Sequence, residues 1–284
     1  MSSPDDYRIR FMQRADLDLV VEWAAAEGWN PGRYDAAAFF ATDPTGFWLG
    51  ELGGEPVASI SAVKYGAAYA FVGFYIVKPE HRGRGYGLRL WQAALASLAD
   101  RVVGLDGVVA QQDNYRKSGF ELAYRNSRYE GTADGSAPAD AGLVPLANVS
   151  PAALAAYDRA CYPAERPAFL VEWLRQPERV ALGLMRGGRL AGYGMARPSR
   201  TGYRIGPLFA DTPEDAETLF TALKSSLPAG APVFLDVPEC NSAAVALATR
   251  HGMKSVFDTA RMYTGPAPEL PMDRIFGVTS LELG

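Results

Sequence analysis

Two arginines and three glycines fall within seven residues, from His81 to Gly87 in "HRGRGYG", and no other stretch of the chain is as well suited to hold a ligand. Gly83, Gly85 and Gly87 let a ligand approach main-chain amides without Cβ atoms in the way, while Arg82, Arg84 and His81 add positive charge. The chemistry this favours is binding of an anion, above all a phosphate. Two familiar phosphate loops do not match. A P-loop needs G-x-x-x-x-G-K-[ST], and no lysine and hydroxyl follow at that spacing. A dinucleotide fingerprint needs G-x-G-x-x-G directly after a strand, whereas here G-R-G-Y-G lies beyond Pro79. A glycine-rich surface turn with solvated arginines is the bland alternative, and the flanking elements argue against it.

Before the loop stands "FVGFYIV", residues 71–77, whose continuous apolar character suits a strand covered on both faces. Pro79 ends it, since proline cannot donate to a sheet ladder. After the loop, "LRLWQAALASLAD" places Leu88, Trp91, Leu95 and Leu98 at helical spacing, so that the helix can pack on the sheet with its N-terminus at the loop. Free N–H groups and the positive end of the helix dipole then meet the anion.

This order of elements occurs twice. "YRIRFMQRADLDLVVEWAAAEGW" and "GLVPLANVSPAALAAYDRACY" both read strand then helix, the second with Ser150 as N-cap and Pro151 at the first helical position. Two hairpins follow, closed by Gly53-Gly54 and Gly187-Gly188. "LDGVVAQQDNYRKSGFELAYRNSRYEG" and "LDVPECNSAAVALATRHGMKSVFDTARMYTG" share Leu-Asp, an Asn, a Gly before a bulky apolar residue and a closing Tyr-x-Gly. The expected organisation is a first unit over 1–130, a linker over 131–142 within the small and polar stretch "EGTADGSAPADAG", and a second unit over 143–284.

Composition bounds the function. The chain has 284 residues and 48% hydrophobic content, enough for two ordinary cores. A formal charge of −4 gives no footprint for nucleic acid or an anionic membrane, and no apolar run is long enough for a membrane span. The start "MSSPDDYRIR" lacks the order of a signal peptide, so a cytoplasmic protein is expected. Cys161 and Cys240 are expected to be buried thiols. With only two histidines, no metal-ligand set is expected.

On these residues the chain resembles the GNAT superfamily of acyl-CoA-dependent N-acetyltransferases. Arg82, Gly85 and Gly87 match the family's Arg/Gln-x-x-Gly-x-Gly/Ala signature, Val77 and Pro79 match the preceding V-x-P, and Tyr115, Gly119 and Phe120 match Tyr-x-x-x-Gly-Phe. The resemblance covers residues from about 7 to 130 by motif and the second half by topology, as in tandem GNAT proteins. It implies an α/β (α+β) fold of two GNAT-like units, each a mixed, splayed sheet flanked by helices, with acetyl-CoA as co-substrate in the split. Main-chain groups of Ile76 and Val77 would hold the pantetheine arm, and amides of Arg82, Gly83, Arg84, Gly85, Tyr86 and Gly87 the pyrophosphate, with Asn114 nearby. Tyr115 would donate a proton to the departing thiolate. For the base, Glu22, Glu80 and Asp113 acting through water are candidates, Glu22 first. Trp29, Asn30 and Tyr75 are candidates for the acceptor pocket.

The second unit departs from the signature. Its slot after "YRIGPLFA" carries Asp211, Glu214 and Asp215 instead of arginines and glycines, and Ala248 stands where the first unit has Tyr115. Carboxylates there would repel a diphosphate, so a non-catalytic second unit is expected. The leading function is acetyl transfer to a primary amine of a small molecule, in a protein compatible with a homodimer. A protein lysine or N-terminal acetyltransferase and a non-catalytic acyl-CoA sensor are the alternatives.

Overall fold

The computed structural model describes residues 6–135 and 137–284, and its elements turn where the glycines and prolines stand. Gly53 and Gly54 both have positive φ and close the hairpin of β2 (Phe47–Leu52) and β3 (Glu55–Tyr65); Gly187 and Gly188 do the same for β8 (Val180–Arg186) and β9 (Arg189–Pro198). A two-residue turn needs that left-handed backbone at both positions. The first half begins with β1 (Tyr7–Phe11), α1 (Arg14–Ala26) and α2 (Asp35–Thr42). Past the hairpin come β4 (Tyr69–Val77), α3 (Tyr86–Ala96), β5 (Val102–Val108), α4 (Gln112–Arg116) and β6 (Glu121–Thr132). The second half repeats the series with β7 (Leu143–Pro145), α5 (Pro151–Cys161) and α6 (Pro167–Trp173). After its hairpin follow β10 (Tyr203–Ala210), α7 (Pro213–Ser225), β11 (Pro232–Pro238), α8 (Ser242–Arg250) and β12 (Lys254–Tyr263), then one added strand, β13 (Ile275–Gly277). Ser150 caps α5 as expected, its hydroxyl accepting from the Ala153 amide.

The strands form one continuous mixed sheet in the order β1-β2-β3-β4-β5-β12-β6-β11-β10-β9-β8-β7, with β13 paired to β10. The halves exchange their last strands: β12 lies between β5 and β6, and β6 lies against β11. Buried charges fix that exchange. Asp106 on β5 faces Arg261 on β12 and accepts from it at 2.8 and 2.6 Å, and Asp236 on β11 faces Arg128 on β6 at 2.6 and 3.0 Å. Each Leu-Asp pair of the duplicated sequence thus takes an arginine from the other half, and Asp236 takes a second, Arg204, from its own.

Two apolar clusters sandwich the first half of the sheet. On one face Leu17, Val20 and Val21 of α1 and Phe39 of α2 pack on Phe71, Phe74 and Ile76; on the other, Leu90, Trp91 and Ala94 of α3 pack on Ile60, Val72 and Leu105. The buried face of α3 is therefore centred on Gly87, Leu90, Trp91 and Ala94, whereas Leu88 is 57% exposed. This corrects the face expected from sequence, because close seating of Gly87 on the sheet turns Leu88 outward. Cys161 is buried, but Cys240 is exposed on the turn after β11.

Candidate active site

The parallel pair β4 and β5 holds its register only from Tyr69 opposite Val102 to Val72 opposite Leu105. Beyond that point β4 bulges. Against β3, Ser61 faces Gly73 and Ser59 faces Ile76, so Phe74 and Tyr75 together oppose Ile60. Phe74 has φ +47°, a region rarely adopted by a bulky residue, and the Ser59 hydroxyl donates to its carbonyl at 2.8 Å. The bulge turns Phe74 and Ile76 toward α1 and α2, and Tyr75 and Val77 toward α3. Beyond Val72 the two strands form an open fork, with main-chain groups of Gly73 to Val77 along one arm.

The basic loop stands at the mouth of this fork. Gly83 (φ +74°) and Gly85 (φ +82°) need the left-handed region, and nothing lies within 4 Å of where their Cβ atoms would stand. Gly87 is glycine for another reason: a Cβ there would come 2.7 Å from Val77 Cγ2 and 2.8 Å from Tyr75 Oη. Gly85 occupies the N-cap of α3 and no side chain caps the helix; the first amide to bond back is that of Arg89, to Gly85 O at 3.1 Å. The preceding amides face the loop, as an anion site requires. Arg84 is exposed. Arg82 donates from Nε to Val77 O at 2.8 Å and pairs with Glu27, tying loop to fork. The Tyr86 ring stacks on Tyr7 at 4.8 Å, so only its main chain faces the loop.

On the α3 side three aromatic rings line the fork: Tyr75 lies 5.1 Å from Trp91, and Trp91 5.6 Å from Tyr115. Tyr115 lies against Gly107 of β5, where a Cβ would come within 2.3 Å of its ring. Burial, and secondarily Tyr75, pushes the Tyr115 hydroxyl up to about 12. Asn114 is exposed, and among the described residues its side chain bonds to Gln111 and Lys117, near it in sequence.

On the other face the second half reaches in. Asn30 (φ +49°) binds Thr201 through both side-chain atoms, at 3.1 and 2.9 Å, and the Trp29 carbonyl accepts from Arg128 at 2.5 Å. Glu22 is exposed and pairs with Arg200. The loop from Glu27 to Tyr34 is thus clamped by β9, β10 and β6. Sequence reading missed Gly73, Arg204 and Glu282, which meet here from distant parts of the chain; no local motif marks them.

The second half has the same fork, filled. β10 and β11 pair only from Tyr203 to Ile205, and a bulge follows at Gly206-Pro207. In the opening, β13 pairs with β10 at Leu208 and Phe209, the Val278 amide donates to Asp236 O at 2.9 Å, and Asn241 Nδ2 donates to Ile275 O at 3.0 Å. The start of α7 is closed as well. Thr212 accepts from the Asp215 amide at 3.2 Å, Pro213 has no N–H, and Arg186 is held by Asp215.

Comparison with known proteins agrees with this geometry. Residues 12–120 match the model of the Acetyltransferase (GNAT) family, and residues 154–277 match that of an Acetyltransferase (GNAT) domain. The chain is 36% identical over 269 residues to holothin acyltransferase of Pseudoalteromonas sp. (strain SANK 73390), covering 95% of this chain and 92% of that one. The chain belongs to the GNAT family. It is a tandem GNAT protein and an acyl-CoA-dependent N-acyltransferase. Its fold matches a putative acetyltransferase from Pyrococcus horikoshii (TM-score 0.83, 23% identity, 99% and 97% coverage). It also matches a tandem GNAT protein from the clavulanic acid biosynthesis pathway (TM-score 0.63, 18% identity, 92% and 99% coverage). For this GNAT chain, the open fork and the uncapped start of α3 fit an acyl-CoA. Among the described residues no group of three or more His, Cys, Asp or Glu could hold a metal, and no helix is long and apolar enough to cross a membrane.

Proposed function

We propose that the first GNAT unit transfers an acetyl group from acetyl-CoA to a primary amine of a small molecule, and that the second unit does not turn over. The observation that carries this reading is the contrast between the forks: one is open beside an uncapped helix N-terminus, the other is filled by β13 behind a helix capped by Thr212. Amides of residues 82–87 would hold the pyrophosphate, and main-chain groups of Ile76 and Val77 the pantetheine. Acetyl-CoA supplies a thioester carbon open to direct attack by the amine.

Tyr115 then acts on the leaving sulfur. Full proton transfer from a hydroxyl near 12 to a thiolate near 8.5 is uphill by about 5 kcal/mol, so a hydrogen bond to the developing thiolate is its larger contribution. The attacking amine must be free of its proton, and Glu22, exposed on α1 beside Arg200, is the proposed relay through water. Trp29, Asn30 and Tyr75 are the proposed acceptor-side residues; the first two are held by the second half, and Tyr75 packs on Trp91 of α3. The Pseudoalteromonas relative is named for holothin, which makes holothin the first acceptor to test.

Binding stoichiometry tests the assignment. Calorimetry with acetyl-CoA should saturate at one molecule per chain, and Gly85→Glu should abolish it by placing bulk and charge in the cradle. Saturation at two, with the second site surviving Gly85→Glu, would refute the silent second unit.

A further inference from the structure

The end of the chain joins the two forks. After β13, the carbonyls of Val278 and Thr279 pass over Gly206, at 2.7 and 2.6 Å from where a Cβ would stand. Farther on, the carbonyl of Glu282 passes over Gly73, at 2.1 Å from the same virtual atom. Gly206 and Gly73 occupy corresponding places, at the bulges where β10 leaves β11 and β4 leaves β5. Leu283 then enters the cluster formed by Phe71, Phe74 and α1. The main chain of the tail therefore runs from the filled fork to the open one, crossing Gly73 on the face opposite Tyr115, while the Glu282 side chain turns to Arg204 of β10.

Glu282 is 4% exposed. Its Oε1 accepts from Arg204 Nη1 at 2.9 Å, while its Oε2 has no donor among the described residues. Arg204 also donates to Asp236 at 2.6 Å, and its Nη1 lies 3.5 Å from the Asn30 carbonyl, on the loop whose Trp29 carbonyl Arg128 holds. Arg128 and Arg204 are balanced in charge by Asp236 and Glu282, so the group is neutral with one carboxylate oxygen left over. At Gly73, where the main-chain carbonyl of Glu282 crosses β4, the Ser61 hydroxyl is fully buried, without a partner among the described residues, and 3.2 Å from the virtual Cβ. A buried carboxylate oxygen without a donor is costly, and an N–H is the natural group to relieve it.

We propose that Glu282 positions the acceptor in the first unit, its Oε2 accepting a hydrogen bond from the N–H of the incoming amine at the fork. This rests on the reading of the first unit as an amine acetyltransferase. The remaining hydrogen and the lone pair of the nitrogen are then oriented by a group fixed from the other half, on the opposite face of the sheet from Tyr115. Because Arg204 holds Oε1, the free oxygen cannot swing away.

Glu282→Gln separates this role from a structural one, since a glutamine can keep its carbonyl oxygen on Arg204 while replacing the free acceptor by an N–H donor. Steady-state kinetics on the full chain would use acetyl-CoA with holothin and a panel of primary amines, alongside calorimetry with acetyl-CoA. The expected result is unchanged acetyl-CoA affinity and an amine KM raised roughly 10- to 100-fold, as loss of a hydrogen bond to a charged group implies. If the variant does not fold, Glu282→Asp, which keeps a carboxylate for Arg204 but draws the free oxygen back by one methylene, should give the same split. Wild-type protein that binds acetyl-CoA but acylates no amine overturns the functional reading, and this one with it. Wild-type turnover with an unchanged amine KM in folded Glu282→Gln overturns the role of Glu282 alone. Equal losses in acetyl-CoA affinity and amine KM reduce Glu282 to a strut of the fold.

Discussion

Tyr115 and Glu282 approach the fork from opposite faces of the sheet, and their surroundings assign them different work. Tyr115 is enclosed by Trp91, Gly107 and Tyr75, with its hydroxyl held protonated through the physiological range. Tyr115→Phe should keep acyl-CoA affinity and lower turnover about 100-fold, as for loss of a hydrogen bond that stabilises charge developing on the leaving group. Single-turnover measurement under chemistry-limited conditions decides it; an undiminished rate would leave Tyr115 as packing. Gly87 offers a sharper steric test. Gly87→Ala places a methyl against Val77 and Tyr75, so α3 must lift from β4, and thermal unfolding should show destabilisation of about 1–3 kcal/mol.

At the level of elements, the two helices that follow the central strands differ in one respect that governs ligand binding. The start of α3 has no side-chain cap, which leaves its first amides open to an anion; at the start of α7 Thr212 caps the Asp215 amide, Pro213 has no N–H, and Glu214 and Asp215 put negative charge in the first turn. Thr212→Ala should therefore cost about 1 kcal/mol of stability, as loss of an N-cap does. It should create no second acyl-CoA site, because β13 still fills the fork. Denaturant unfolding and binding stoichiometry on the same variant check both halves of that statement, and a second equivalent of bound acetyl-CoA would show that the cap alone had closed the site.

The whole molecule is held together by exchanged strands and buried ion pairs rather than by a surface between two finished domains. Removing residues 143–284 would strip β12 from the edge of β5 and leave β6 without β11, so neither half should fold alone, and the full chain should unfold in one transition. Calorimetry showing two independent transitions would contradict this. Asp236 lies at the centre. Burial would raise its carboxyl, but the charges of Arg128 and Arg204 outweigh that and hold it well below the usual carboxylate range. A depressed folded pKa contributes stability above the unfolded value, about pH 4, which is lost as pH falls further toward the folded one. Asp236→Asn should cost about 3–5 kcal/mol at pH 7 by leaving the buried Arg128 without a counter-charge and Arg204 with Glu282 alone, and the gap to wild type should narrow below about pH 4. A gap independent of pH would place the stabilisation elsewhere.

The sequence by itself determined the local elements, the duplication, the anion loop and its absence from the second half. Those depend on residues close in the chain: Gly83 and Gly85 in the left-handed region, Pro79 ending a strand, Thr212 and Pro213 opening a helix. It also singled out Tyr115 as the proposed donor, because a short motif carries that position. Only the tertiary structure decided which strand pairs with which half. The partners Asp106 and Arg261 stand 155 residues apart, Asp236 and Arg128 stand 108 apart, and neither separation leaves a periodic trace. The same holds for the tail. Nothing near Glu282 in sequence announces a site, because its meaning comes from a carbonyl seated on Gly73 and a guanidinium from β10, brought together by the sheet that the exchanged strands complete.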